Sequence, residues 1–196
     1  MSIIQDLYTV QVYKEKLSLD NKKMADYCLS MAKKDKGRVL SNVGGWQSND
    51  LQGNHKPLYD LFVEIINHSN QFGKHLQFKH GLNISNIWVN INGFKDTNKV
   101  HLHQHCMLSG VYYIQTPKDC GVIEFRHPGF DVVNYDWNEN TIKEFNNTNS
   151  TEWWLPVKAG NLYIFPSWLN HLVKPNLNKK EKRISISFNM VKNVSK

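Results

Sequence analysis

The chain has 196 residues, a formal net charge of +7 at pH 7, and 40% hydrophobic and 12% aromatic residues. This composition predicts one globular domain and excludes a disordered protein, because the apolar side chains suffice for a sizeable core. No run approaches the ~18 consecutive apolar residues of a membrane helix. The segment MSIIQDLYTVQVYKEK lacks the features of a signal peptide, and three irregularly spaced cysteines imply no disulfide framework. We therefore expect a reducing, cytoplasmic location and no membrane partner.

The positive charge is a weak indication of function. Most of it comes from lysines spread along the chain, and the single dense cluster is Lys179, Lys180, Lys182 and Arg183. Solvated surface lysines explain this pattern better than a nucleic-acid footprint does. Nucleic acid is therefore a less favoured partner.

Two helices are predicted before residue 80. Apolar side chains in residues 20–34 recur at the spacing of one helix face, and Asp20 is suited to cap the first turn. The same spacing recurs in residues 57–72, where Pro57 suits a first-turn position. The connection between them is rich in Gly, Ser and Asn and predicts a loop. Trp46 in that loop either packs against the core or lines a site, and packing is the favoured interpretation.

Beyond residue 80 the sequence is typical of β-structure. Runs rich in Ile, Val and Tyr alternate with clusters of Gly, Pro, Asn and Asp, which predicts many short strands in a sandwich or barrel. The segment RISISF alternates strictly, with its apolar side chains on one face and Ser185 and Ser187 on the other. Residues 131–152 are polar and rich in Asn, and predict a long loop of the lid or binding type.

Four histidines are candidate metal ligands. His101, His103 and His105 alternate on a predicted strand, so their side chains would share one face, and His171 follows a later strand and a Pro turn. A close pair of ligands with a distant third is typical of open catalytic metal sites. His105 could replace one member of the pair.

Arg183 is the candidate binding residue for an anion. It follows His171 by 12 residues and shares a strand face with Ser185 and Ser187. An arginine that points into a barrel is costly unless an anion meets it, and guanidinium binds carboxylates in a bidentate manner. This predicts a carboxylate cosubstrate above the metal; the alternative is a surface arginine that begins an edge strand.

The segments HLHQHCMLSGVYYIQTP, FPSWLNHLVKPN and RISISFN resemble the Fe(II)/2-oxoglutarate-dependent oxygenase superfamily, in particular a small branch of oxygenases from marine bacteria and phages. The resemblance extends over roughly residues 40–190. It implies a mainly β fold with N-terminal helices, the double-stranded β-helix, which is a jelly-roll or cupin-like barrel. We expect one oxygenase domain over residues 1–196, with mostly helical N-terminal support in 1–80 and the β-helix core in 81–196.

The resemblance also implies an iron site. His101 and His103 match the first two iron ligands of the superfamily, and His171 matches the distal ligand. Most members carry Asp or Glu where this chain has His103. A carboxylate ligand lowers the net charge at the metal, and a neutral imidazole does not. Three imidazoles still suit iron, and equally zinc, copper or nickel.

A second set of residues matches the cosubstrate site of the superfamily. Arg183 matches the arginine that pairs with the distal carboxylate of 2-oxoglutarate, and Ser185 completes an Arg-x-Ser pattern. Tyr113 resembles a tyrosine that contacts the same carboxylate in prolyl hydroxylases; its alternative role is core packing. Asn90 is a further candidate to face the cosubstrate, although Trp88 and Asn92 share its strand face.

The resemblance implies a dioxygenase that uses Fe(II), O2 and 2-oxoglutarate to hydroxylate a C–H bond, with release of succinate and CO2. A peptidyl or prolyl substrate is favoured and a small molecule comes next. The alternatives are a cupin-type metal enzyme without 2-oxoglutarate, which leaves Arg183 unexplained, and a non-catalytic metal-binding module.

Trp153, Trp154 and Trp168 either line a substrate cleft or pack in the core, and we expect at least two of them in the core. The oligomeric state is open, with a homodimer as one option.

Overall fold

The computed structural model describes residues 2–193, so that residue 1 and residues 194–196 of the expected domain lie outside it. Its helices are α1 (Asn21–Ala32), α2 (Tyr59–His75) and α3 (Phe130–Asp136). Its strands are β1 (Tyr13–Lys16), β2 (Asn42–Val43), β3 (Trp46–Gln47), β4 (Leu82–Asn92), β5 (Thr97–His101), β6 (Leu108–Gln115), β7 (Val122–Arg126), β8 (Glu152–Pro156), β9 (Asn161–Pro166), β10 (His171–Val173) and β11 (Arg183–Lys192).

The strands form two antiparallel sheets. One has six strands in the order β1-β9-β6-β11-β4-β3, and the other has five in the order β2-β5-β10-β7-β8. Strands that follow one another in the chain repeatedly join opposite sheets, as in a jelly roll. The predicted fold class, a mainly β double-stranded β-helix with N-terminal helices, is confirmed.

Both predicted N-terminal helices are present. The Asp20 side chain accepts a hydrogen bond from the Lys23 amide at 3.0 Å and so caps α1. Pro57 lies in a short 3-10 turn (Lys56–Leu58), and α2 begins after that turn. The apolar faces of both helices pack against the outer face of the six-stranded sheet, where they form the main hydrophobic core.

The N-terminal region also contributes three strands that sequence periodicity does not predict. β1 is the edge of the six-stranded sheet, β2 pairs with β5, and β3 pairs with β4. The turn between β2 and β3 uses Gly44 and Gly45 at φ values of +69° and +65°. This short segment connects the two sheets, and strands of two residues are too short to give an alternating pattern.

Alternation along β11 separates the core from the barrel interior. Ile184, Ile186 and Phe188 belong to the main core, whereas Arg183 and Ser185 line a pocket between the two sheets. This is the arrangement that the RISISF pattern predicts. β11 thus has one face in the pocket and the other in the main core, against which the helices pack.

The structure corrects two expectations and supports a third. The predicted loop at 131–152 contains most of the short helix α3. Trp153, Trp154 and Trp168 are 43%, 59% and 53% exposed, so the expectation that at least two lie in the core is wrong. Two of them lie on β8, an edge strand, and the third lies in a turn, and at both places the side chains stay exposed.

Trp46 packs against the main core, as favoured, and its indole N–H donates to the Asp35 carbonyl at 2.9 Å.

Among the described residues, no helix combines the length and hydropathy that crossing a membrane requires.

Candidate metal and cosubstrate site

The pocket between the sheets brings the three predicted metal ligands together. His101 ends β5 and His171 begins β10, and the two are direct partners in the antiparallel ladder. His103 follows β5, and its backbone amide donates to the Ser167 carbonyl at 2.9 Å. One ring nitrogen from each histidine lies within 4.8 Å of the others. Three imidazoles in this arrangement can hold one metal ion and leave further positions open.

Two of the histidines are oriented by backbone carbonyls. Nδ1 of His101 lies 2.7 Å from the Lys99 carbonyl, and Nδ1 of His171 lies 2.9 Å from the Leu169 carbonyl. Because a carbonyl only accepts hydrogen bonds, each Nδ1 must carry the proton. The Nε2 atom of each ring is thereby left as a free electron-pair donor for a metal.

His103 is held by an aromatic contact instead. Its ring lies against Trp88, with the ring centroids 5.8 Å apart. The Arg38 guanidinium lies over the same Trp88 ring, 5.8 Å from its centroid. Arg38 also forms an ion pair with Asp50 at 2.5 Å. Sequence reasoning missed this role of Trp88, although it placed Trp88 on the same strand face as Asn90.

Burial keeps the triad neutral near pH 7. Desolvation, reinforced by the neighbouring His101, lowers the pKa of His103 to about 4. Desolvation also lowers the pKa of His101, and it lowers that of His171 well below 6.5. Since only a neutral imidazole binds a metal, the site is poised for binding at physiological pH.

His105 does not join the group. β5 ends at His101, and Gln104 and His105 form a turn in which His105 is exposed with φ of +62°. The expectation that three histidines alternate on one strand face is therefore wrong beyond His101. In residues 2–193 the group of His101, His103 and His171 is the one cluster of at least three His, Cys, Asp or Glu side chains with metal-binding geometry.

The other end of the pocket is built for an anion. Arg183 is 1% exposed, and its Nη1 donates to the carbonyls of Cys120 and of Lys174, the latter at 2.9 Å. Its Nη2 and the Tyr113 hydroxyl are buried without hydrogen-bond partners. Unpartnered buried donors, one of them charged, are costly unless a ligand accepts from them. Both atoms therefore fit a carboxylate.

Electrostatics around Tyr113 agree with this interpretation. Burial raises the pKa of Tyr113, and the nearby Arg183 guanidinium offsets part of that rise. The phenol thus stays protonated and can donate. Ser185 and Asn90 line the pocket together with Arg183. Nδ2 of Asn90 donates to the Ser187 hydroxyl at 3.0 Å, while its Oδ1 is buried without a partner.

A neutral imidazole triad and a buried arginine that line one pocket are suited to a metal ion and an acidic ligand. The family model described as "Putative 2OG-Fe(II) oxygenase" matches residues 86–189, which is more than half of the chain. The chain belongs to this family and is a 2-oxoglutarate-dependent oxygenase whose cofactors are Fe(II) and 2-oxoglutarate. The triad and the unpartnered donors described above fit both groups.

Solved structures of low sequence identity share the fold. A Pseudomonas putida prolyl-4-hydroxylase has a TM-score of 0.66 at 14% identity, with 95% of each chain covered. HygX from Streptomyces hygroscopicus, with nickel and 2-oxoglutarate bound, has a TM-score of 0.62 at 8% identity over 94% of this chain and 84% of its own. The viral collagen prolyl hydroxylase of Paramecium bursaria chlorella virus-1 has a TM-score of 0.56 at 13% identity over 91% and 94%. No curated protein sequence matches the chain.

The positions of His103 and His105 give a direct test of the ligand set. His103→Ala should weaken Fe(II) binding by more than the roughly 10- to 100-fold that loss of a supporting residue costs. His105→Ala is the matched control and should leave affinity unchanged, because that side chain is exposed and outside the triad. Anaerobic Fe(II) titration measures both. The reverse order of effects would move the ligand set along the chain.

The neutral triad also predicts that acid destabilises the metal-free protein. An unfolded histidine titrates near 6.5, whereas the folded pKa of His103 is about 4. Below pH about 6.5 the unfolded chain binds a proton at His103 and the folded chain does not, so the free energy of unfolding falls as the pH is lowered towards 4. His103→Gln should show a shallower fall in melting temperature in the presence of a chelator. Equal slopes for the variant and the native protein would contradict the lowered pKa.

Proposed function

We propose that the protein is a dioxygenase that hydroxylates a C–H bond of a peptide, with a prolyl residue as the favoured target. The substrate C–H bond becomes C–OH, O2 supplies one oxygen atom to it and the other to succinate, and 2-oxoglutarate loses CO2. The observation that supports this proposal most is the pair of unpartnered buried donors, Arg183 Nη2 and the Tyr113 hydroxyl, in a barrel that also holds the triad.

In this proposal His101, His103 and His171 hold the metal through neutral imidazoles. Iron, when bound, supplies the activation of O2. The carbonyls of Lys99 and Leu169 keep two of the rings in the ligating tautomer. The open positions that three protein ligands leave are the positions that a cosubstrate and O2 require.

Arg183 binds the distal carboxylate of 2-oxoglutarate through its free Nη2. The Tyr113 hydroxyl donates to the same carboxylate, and Ser185 provides a second hydroxyl on the same strand face. A guanidinium held by two backbone carbonyls is already oriented, so little side-chain entropy is lost when the anion binds.

Asn90 serves as a positioning residue for the cosubstrate. Its amide can turn so that Oδ1 accepts from the Ser187 hydroxyl and Nδ2 points into the pocket as a donor. That orientation removes the unpartnered Oδ1 and gives the pocket one more donor for an acidic ligand. The apolar walls of the pocket, which include Val111, Ile123 and Phe165, exclude water around it.

The peptide target is supported by fold similarity to prolyl hydroxylases, and a small molecule is the second candidate. The buried Nη2 of Arg183, which has no partner, favours this proposal over a cupin-type enzyme without 2-oxoglutarate and over a non-catalytic module. The cytoplasmic location, the origin in a marine bacterium or phage and the option of a homodimer stay predictions.

Arg183 provides the sharpest test of the cosubstrate assignment. Arg183→Leu should leave Fe(II) binding intact. It should weaken the binding of 2-oxoglutarate by about 2–5 kcal/mol, which is a loss of affinity of roughly thirtyfold to several thousandfold. Arg183→Lys should restore only part of the affinity, because an ammonium lacks the planar fork. Anaerobic titration of the Fe(II) protein with 2-oxoglutarate measures these affinities.

The neighbouring lysine is the control for that experiment. Lys182 is exposed, so Lys182→Leu removes one positive charge without touching the pocket and should not change the affinity. Unchanged affinity in Arg183→Leu, or equal losses in both variants, would remove Arg183 from the cosubstrate site.

Turnover tests the reaction itself. The Fe(II) protein supplied with O2 and 2-oxoglutarate should form succinate slowly alone and faster with a proline-containing peptide, whose mass should rise by one oxygen atom. Arg183→Leu should form little succinate at the same cosubstrate concentration. Absence of succinate under all conditions from folded, iron-loaded protein would refute the proposed reaction.

A further inference from the structure

The row of residues that holds the metal ligands continues into aromatic side chains. His101, His171, Phe125 and Trp153 are direct partners across the four adjacent strands β5, β10, β7 and β8. Direct partners in an antiparallel ladder point to the same face of the sheet. Trp153 therefore lies on the ligand-bearing face, two strands from His171. With strands ~4.8 Å apart, that separation is about 10 Å.

Burial changes along this row. The Phe125 ring is buried and lies 6.2 Å from the His171 ring, centroid to centroid. His171 is 4% exposed and Trp153 is 43% exposed, so this part of the row runs from a buried metal ligand to an accessible indole. Trp154, the next residue, points to the opposite face of the same strand.

A long connection stands beside the exposed end of the row. It comprises residues 127–151, leaves β7 just beyond the Phe125 position and returns just before Trp153. Its base is closed by a hydrogen bond of 2.8 Å from the His127 amide to the Thr151 carbonyl. Near the base, the Arg126 guanidinium lies 4.6 Å from the Phe130 ring centroid. The connection is thus anchored next to the ligand-bearing end of the sheet.

The exposed apolar side chains of this region define what we call the mouth surface. Its members are Val132, Tyr135, Trp137 and Phe145 of the connection together with Trp153. Four of the five come from one stretch of the connection, residues 132–145, and the fifth lies on the strand that follows it, so they are not singly scattered along the chain, and exposed apolar patches mark binding sites.

The charge of the connection indicates which ligand this surface fits. Residues 127–151 contain Asp131, Asp136, Glu139 and Glu144 against the single cation Lys143, a net charge of −3 within a chain of +7. The rest of the chain therefore carries +10. This segment attracts cations and repels polyanions, while exposed aromatic rings bind cations through their faces.

We propose that the mouth surface binds a basic peptide segment and that Trp153 stacks on a lysine or arginine side chain near the residue that is hydroxylated. The inference rests on the proposed function and specifies its substrate class. An extended peptide advances ~3.3 Å per residue, so the distance of about 10 Å from His171 to Trp153 corresponds to about three residues. The basic residue thus lies about three positions from the target.

Peptide binding tests the proposal apart from turnover. The probe is a fluorescein-labelled peptide with one proline and a lysine three residues to either side, titrated anaerobically with the Fe(II) and 2-oxoglutarate-loaded protein. Fluorescence anisotropy should report binding that weakens with salt, whereas a peptide with glutamates in place of the lysines should bind far more weakly. Equal binding of the two peptides, or no binding of the lysine peptide, would overturn the inference.

The two adjacent tryptophans provide a matched pair of variants. Trp153→Ala should lower the affinity for the lysine peptide about tenfold, which is the effect expected from the loss of one cation–aromatic contact. Trp154→Ala alters the opposite face of the strand and should leave peptide affinity unchanged. The double variant Glu139→Lys and Glu144→Lys, at two exposed positions, should also weaken binding and flatten its salt dependence. Equal effects of the two tryptophan variants would overturn the role of Trp153.

Two further readouts separate this inference from the proposed function. Fe(II) affinity and 2-oxoglutarate affinity should be unchanged in Trp153→Ala, which also verifies that the variant is folded. If the native protein consumes 2-oxoglutarate but never binds the basic peptide, the inference fails and the oxygenase proposal stands. If the protein binds the peptide but forms no succinate, the proposed reaction fails instead.

Discussion

The buried charge of Arg183 is the constraint on which the rest of the site depends. A guanidinium that is 1% exposed is tolerated only if its donors are met, and the protein meets one side of it with two backbone carbonyls. Those carbonyls belong to Cys120 and Lys174, so the loops around them are held in place by the same side chain. Arg183 also lines the pocket, and its Nη2 is buried there without a partner, so the fold leaves one charged donor that fits an anion.

The two ends of the pocket belong to different sheets. His101 and His171 are partners in the five-stranded sheet, whereas Arg183 and Tyr113 lie on neighbouring strands of the six-stranded sheet. A ligand that touches both ends therefore bridges the two sheets. This position between the sheets explains why the site is buried, since each sheet shields the polar groups of the other from water.

The sequence predicts the elements whose periodicity is long and regular. The alternation of RISISF is enough to place Arg183 and Ser185 inside the barrel. Short-range geometry is less predictable: the chain turns after His103, which removes His105 from the site, and nothing in an alternating pattern signals such a turn. The expectation that at least two of Trp153, Trp154 and Trp168 lie in the core fails because hydrophobicity does not reveal that a strand such as β8 lies at a sheet edge. The contact of Trp88 with His103 depends on tertiary packing alone.

The absence of a carboxylate from the triad has a consequence for the coupling between metal binding and cosubstrate binding. Three neutral imidazoles leave the full double charge of a divalent metal uncompensated, in a pocket where burial already disfavours charge. Elsewhere in the barrel, Nη2 of Arg183 and the Tyr113 hydroxyl are buried without partners, and both fit an anion. A ligand with a carboxylate at each end would neutralise both buried cations at once. By linkage, metal and cosubstrate must then strengthen each other's binding, and more so here than in a site whose ligands already include an acidic residue.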